Sequence, residues 1–151
     1  MRAPRRLSAV TLGTTDLPRL RSFYSGGLGF EEVAGSDDNW VGYVVGGVIL
    51  SLFPSDELAS ESDTIGDSVD GGRSRADVFT LGCNVESPAE VDEIYRAWIA
   101  AGARAGSEPL DRSWGGRSGY VFDPDGNVWE IAWAPGLVLG DRGEVVTFGG
   151  D

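Results

Sequence analysis

The residues around two tyrosines are written in the same grammar, and this internal repeat limits the fold more than any single motif. Tyr24 and Tyr95 stand 71 positions apart, and the same offset pairs Asp16 with Ser87, Leu20 with Val91 and Phe23 with Ile94. Asp16 and Ser87 are good helix N-caps, and Pro18 and Pro88 fit the first helical turn behind them. A strand-like run precedes each helix, "LSAVTLG" in the first case and "DVFTLGCNV" in the second. After the first helix, "FEEVAG", "NWVGYVVG" and "VILSLFP" read as three strands broken at Gly35-Ser36-Asp37 and Gly46-Gly47. After the second, "ARAGSEPL", "GYVFD" and "VWEIAWA" repeat the count, the last two joined as a hairpin across Pro124–Asn127. A βαβββ unit written twice predicts an α+β fold. One unit alone leaves a sheet face uncovered. Two of them place helices outside and curve their sheets into a shared cup.

This organisation makes the 151 residues one domain. Module one runs over about 7–54, an acidic Ser/Asp/Gly-rich linker over 55–76, module two over 77–135 and a tail over 136–151. The linker reads as a passive connector or as a lid over the cup. The tail is expected to add a short edge strand through Glu144 to Phe148.

Composition removes several function classes. Net charge is -12, with 24 acidic and 12 basic residues, which opposes phosphate backbones and anionic membranes. No nucleic-acid partner is expected, and no apolar run is long enough for a membrane span. The basic start "MRAPRRLSAVTLG" lacks a signal-peptide apolar core, so a cytoplasmic location is expected. Cys83 is the one cysteine, set in apolar "FTLGCNV", and reads as a small buried thiol. There is no histidine. Imidazole is therefore absent as metal ligand, general base or proton shuttle.

Two stretches carry a family resemblance: "VTLGTTDLPRLRSFYSGGLGF" in the first half and "YVFDPDGNVWEIAW" in the second. The chain resembles the vicinal oxygen chelate superfamily, which includes glyoxalase I, fosfomycin-resistance proteins, extradiol dioxygenases and bleomycin-resistance proteins. The resemblance implies a sheet-lined cavity and a homodimer. In metal-dependent members four strand positions supply ligands, and by position these fall at Ala9, near Leu50, at Thr80 and at Glu130. Only Glu130 is a strong donor. The resemblance thus implies a metal-independent member with no cofactor, leaning away from an enzyme.

Strand alternation turns Ala9, Thr11, Gly13, Thr80, Gly82, Asn84, Val128, Glu130 and Ala132 toward the cup, with Leu50 and Leu52 from the fourth strand. Tyr120 lines the cup by its place before the "DPDG" turn, as the fosfomycin-resistance pattern implies. Trp98, Trp129 and Trp133 read as core. Trp40 and Trp114 sit beside turn signals and serve either as stacking walls at the mouth or as packing. Asp37 and Asp38 beside Trp40 would draw a cationic aromatic guest. The expected ligand set is Trp40, Leu50, Leu52, Thr80, Asn84, Trp114, Tyr120 and Glu130.

Three functions fit. One is a metal-independent binder that sequesters a cationic or aromatic antibiotic, in the manner of bleomycin-resistance proteins. Another is a metal-free isomerase or lyase with Glu130 as general base. The third is a glyoxalase- or dioxygenase-type metalloenzyme with displaced ligands. Glu130 itself is a carboxylate held by Thr80 or Tyr120, a receptor for a ligand donor, or a base.

Overall fold

The computed structural model describes residues 6–62 and 79–149. Strand β1 (Ala9–Thr14) leads into helix α1 (Leu17–Arg21), which continues as a wider π turn over Ser22–Gly27. Asp16 caps it by accepting the Arg19 amide at 3.1 Å. The chain returns through β2 (Val41–Val45) and β3 (Val48–Pro54). These form a three-stranded sheet of order β1-β3-β2, with β1 parallel and β2 antiparallel to β3. The expected strand at "FEEVAG" reduces to a single bridge, Glu32 to Tyr43. The Glu32 side chain there is bonded to Arg21 and Ser25 on the helical segment, so the segment follows the helix rather than the sheet.

The second module repeats the plan. Strand β4 (Leu81–Asn84) precedes helix α3 (Pro88–Ala100), capped by Ser87. The Ser87 hydroxyl accepts the Glu90 amide, and Glu90 reaches back to the Glu86 amide. Two short strands follow, β5 (Arg104–Ala105) and β6 (Leu110–Asp111), then β7 (Arg117–Phe122) and β8 (Val128–Trp133). The "ARAGSEPL" strand is therefore two fragments. The sheet order is β4-β8-β7-β5, with β6 also on β7.

The linker reading needs one correction at its start. Ser55–Glu61 form helix α2, with Asp56 and Glu57 in the first turn, where the helix dipole favours them. A methyl group on Gly13 would touch Leu58 of this helix. The lid or connector reading of 63–76 lies outside the described residues. The tail is a hairpin, β9 (Leu137–Leu139) with β10 (Val145–Phe148), rather than one edge strand.

Both modules bury their helices in one core within this chain. Phe23 meets Trp98 edge-on at 6.0 Å, and Trp98 meets Trp129 at 5.0 Å. The aspartate of the "DPDG" turn completes the link. Asp123 is buried and accepts the Tyr24 hydroxyl at 2.7 Å, the Asn127 side-chain amide at 2.7 Å, and the Asn127 and Asp125 backbone amides. Trp129 donates its indole N–H to the same Tyr24 oxygen at 3.0 Å. Burial beside Asp123 pushes the Tyr24 hydroxyl pKa up, keeping it a donor. Gly126 closes the turn at positive φ.

Candidate functional site: the cup face around Glu130

Sheet register decides which side chains meet. Gly82, Glu130 and Tyr120 stand side by side across β4, β8 and β7, and Asn84, Ala132 and Ser118 form the next row. Leu81, Cys83, Trp129 and Ile131 occupy the opposite face and pack into the core. Alternation read from the sequence thus gave the correct face for Gly82, Asn84, Glu130, Ala132, Trp129 and Ile131. Burial pushes the Cys83 thiol pKa up, consistent with a packed, unreactive sulfur.

The first module corrects the reading of Leu50 and Leu52. Leu50 lies beside Val10 and Leu52 beside Leu12 in the β1–β3 ladder. Both leucines are buried in the core, at 3% and 0% exposure. The cup-side partners are Ala9 with Ile49 and Thr11 with Ser51. "VILSLFP" is apolar on both faces, so alternation alone gave no phase; the one polar residue, Ser51, marks the cup side. Leu50 does line a separate, mostly apolar cavity of about 340 Å³ at the seam between β1 and β4.

Glu130 is half-buried and accepts a hydrogen bond from the Tyr120 hydroxyl at 3.0 Å. Tyr120, rather than Thr80, is therefore its partner. Burial, and then the bond to Glu130, push the Tyr120 pKa up, so the phenol remains protonated. Asn84 anchors its amide on the Ala132 carbonyl at 3.3 Å. A cavity of about 490 Å³ opens over this surface, walled by Asn84, Trp114, Glu130, Ala132 and, from the tail hairpin, Leu137 and Phe148. The hairpin contribution is absent from the sequence reading. Its only sequence signal is the apolar "EVVTF" beyond the repeat.

The two mouth tryptophans separate. Trp114 is 51% exposed and walls the Glu130 cavity. Its ring folds over Gly116, where a Cβ would collide with it. Trp40 is half-buried on the first module, its ring folded over Gly42 in the same manner. The expected cation lure beside Trp40 is already occupied. Asp37 caps the Asn39 and Trp40 amides, and Asp38 lies 3.3 Å from Arg21. Thr80 is exposed ahead of β4, at the rim of the seam cavity rather than bonded to Glu130.

The donor set does not fit the metal of the metal-dependent relatives. Thr11 and Gly82 are equivalent under the repeat and pair with Ser51 and Glu130, so Ser51 is the counterpart of Glu130. The four positions are then Ala9, Ser51, Thr80 and Glu130. The Ser51 hydroxyl is committed to Thr11 at 2.8 Å. One carboxylate with two hydroxyls is a weak grip for a divalent ion. Among the described residues no group of three or more His, Cys, Asp or Glu is placed to hold one.

The two-module topology and this cup define a class. The Glyoxalase/Bleomycin resistance protein/Dioxygenase superfamily model matches residues 6–131. The chain belongs to that superfamily. Among solved structures, it is similar to a glyoxalase-related enzyme from Fulvimarina pelagi, at 28% identity and TM-score 0.79, covering 95% of this chain and 99% of that one. It shares its fold with lactoylglutathione lyase from Agrobacterium tumefaciens, at 24% identity and TM-score 0.65, covering 87% and 96%. TioX from Micromonospora sp. ML1 aligns at 24% identity and TM-score 0.61, covering 85% and 98%. No curated protein matches the chain. Among the described residues no helix is long and apolar enough to cross a membrane.

Proposed function

We propose that the chain binds a small aromatic molecule over Glu130 without a metal ion, in the manner expected of an antibiotic-sequestering member. The observation that carries this reading is the composition of the cavity. It offers one carboxylate acceptor, an exposed indole wall at Trp114 and an apolar rim from Leu137 and Phe148. Such a wall with few polar groups suits an organic guest. A guest donor or cation would face Glu130, and Trp114 would stack on its ring. Trp40 is a weaker member of the set, and Leu50 and Leu52 support the sheet from its far side. Val44 and Ile49 pair across β2 and β3 and are exposed at 64% and 37% on the first module's cup side. A second copy covering that apolar strip would make the homodimer.

Titration with planar aromatic antibiotics, followed by tryptophan fluorescence, tests the reading. Saturable quenching that disappears in Trp114→Ala is the expected result. A flat signal across the panel would sink it.

A second reading rests on the Tyr120–Glu130 hydrogen bond, which couples a proton donor to a carboxylate within reach of a guest. It makes the cup a metal-free isomerase or lyase. Turnover that is lost in Glu130→Gln while binding persists would favour it.

A further inference from the structure

Arg112 lies against Ser118 and the Tyr120 ring, beside the walls of the Glu130 cavity, and neither the repeat nor the family positions single it out. A tight turn brings it back over the sheet: the Arg112 amide donates to the Gly116 carbonyl at 2.7 Å, and the Gly115 amide donates to the Arg112 carbonyl at 3.0 Å. The side chain is then fixed on the cup side of β7. Nε donates to the Ser118 hydroxyl at 2.9 Å, and Nη2 donates to the Ser118 carbonyl at 3.0 Å and the Ser107 hydroxyl at 3.2 Å. The guanidinium lies 5.7 Å from the centre of the Tyr120 ring, the ring whose hydroxyl holds Glu130.

Among the described residues no carboxylate answers the charge of Arg112. Arg19, Arg21, Arg117 and Arg142 each have a carboxylate within ion-pairing distance. Among the described residues Arg112 has none, and its Nη1 makes no hydrogen bond. Acids outnumber bases 24 to 12 in this chain, so carboxylates are in ample supply. Arg104 behaves alike. It pairs with Phe122 across β5 and β7, on the same face as Tyr120, and stacks 3.9 Å from the Phe122 ring centre. The β7 margin of the cup is therefore basic and aromatic, while Glu130 places an acceptor beside it.

We propose that the guest is an aromatic acid, and that Arg112 receives its carboxylate while Glu130 faces a donor elsewhere on the molecule. The inference rests on the cup being the binding pocket and narrows its guest. A guanidinium keeps its charge at any working pH and presents a planar fork that matches a carboxylate. Three hydrogen bonds hold Arg112 in place before the guest arrives, so little side-chain freedom is lost on binding.

Three indoles with one ring system and different charges test this: indole-3-propionate, tryptophan and tryptamine, followed by ligand-observed NMR. The two carboxylates should bind the native protein more tightly than tryptamine. Arg112→Gln should weaken indole-3-propionate on the order of tenfold and leave tryptamine within about twofold. Arg112→Lys, which keeps a charge but cannot reproduce the Ser107 and Ser118 bonds, should recover part of the difference. An equal loss for all three probes in both variants would make Arg112 a pin for its turn and overturn the inference. So would indole-3-propionate binding that Arg112→Gln leaves intact and Trp114→Ala abolishes, an outcome under which the cup reading survives. If no probe binds at all, the cup reading falls and the inference with it.

Discussion

Tyr24 and Tyr95 occupy equivalent places on the two helices, and their hydroxyls have opposite fates. Tyr24 donates to Asp123 and accepts from Trp129. The Tyr95 hydroxyl is buried and has no hydrogen-bond partner among the described residues. The cup faces differ in the same way. In module one, Thr11 and Ser51 close on each other, beside Ala9. In module two the equivalent strands carry Glu130, Tyr120 and the Arg112 margin. The repeated scaffold is therefore used asymmetrically: the module-one tyrosine closes a polar clamp with Asp123 and Trp129 of module two, and among the described residues only the module-two sheet carries a carboxylate on its cup face.

The largest test of this contrast is on stability. Asp123→Ala leaves the Tyr24 hydroxyl buried without its acceptor and removes the bonds to Asn127 and Asp125, and should cost about 3–5 kcal/mol in urea unfolding. Tyr24→Phe removes one charge-assisted bond and should cost about 1.5–3 kcal/mol. Tyr95→Phe removes a hydroxyl that no described residue partners and should stay within about 0.5 kcal/mol of the native protein. Equal losses in the two tyrosine variants would erase the asymmetry.

Next comes guest binding. Glu130→Gln should weaken tryptamine on the order of tenfold by removing the charged acceptor, whereas Ser51→Ala at the equivalent position should leave it unchanged. Trp114→Ala should abolish quenching, and Trp40→Ala should leave most of it, because only Trp114 walls the Glu130 cavity. A larger loss from Ser51→Ala or Trp40→Ala would move the site to the first module.

The contrast also shows how much was legible. The helix caps, the helix-facing tryptophans and the cup side of β4 and β8 follow from spacing, because those segments have a clear polar or apolar phase. "VILSLFP" has none, and it is the parallel register with β1 that turns Leu50 and Leu52 into the core rather than the cup. "FEEVAG" has strand composition, yet Glu32 is held by Arg21 and Ser25, contacts no local pattern encodes. The tail hairpin reaches the Glu130 cavity only through a fold-back, and Arg112 meets the Tyr120 ring only through a tight turn. Asp38, expected with Asp37 to draw a cationic guest, instead accepts from Arg21, 17 positions earlier. Residues joined by long-range packing were hidden for that reason.

The smallest effect concerns the arginine–carboxylate pin that each module carries. In module one Arg21 grips Glu32 through Nε and Nη2, at 2.8 and 2.7 Å, and in module two Arg117 grips Asp92 at 2.9 and 2.8 Å. Hydrogen bonds from Arg21 and then Ser25 hold the Glu32 pKa down at about 2, from an ordinary 4.5. Arg117 lowers that of Asp92 as well. A carboxyl whose folded pKa is depressed adds stability that is fully present above its unfolded value. That stability drains as pH falls from about 4.5 to about 2 for Glu32. Both pairs are solvent-accessible, so screening keeps the effect modest. Carboxyl NMR should show Glu32 titrating near the bottom of that window, and Arg21→Gln should return it toward the ordinary range. Glu32→Gln should flatten the acid limb of unfolding stability, and Asp92→Asn should flatten it separately and additively, since the two pins share no partner. A Glu32 carboxyl that titrates at its ordinary value in the native protein would show that the module-one grip is not kept in solution.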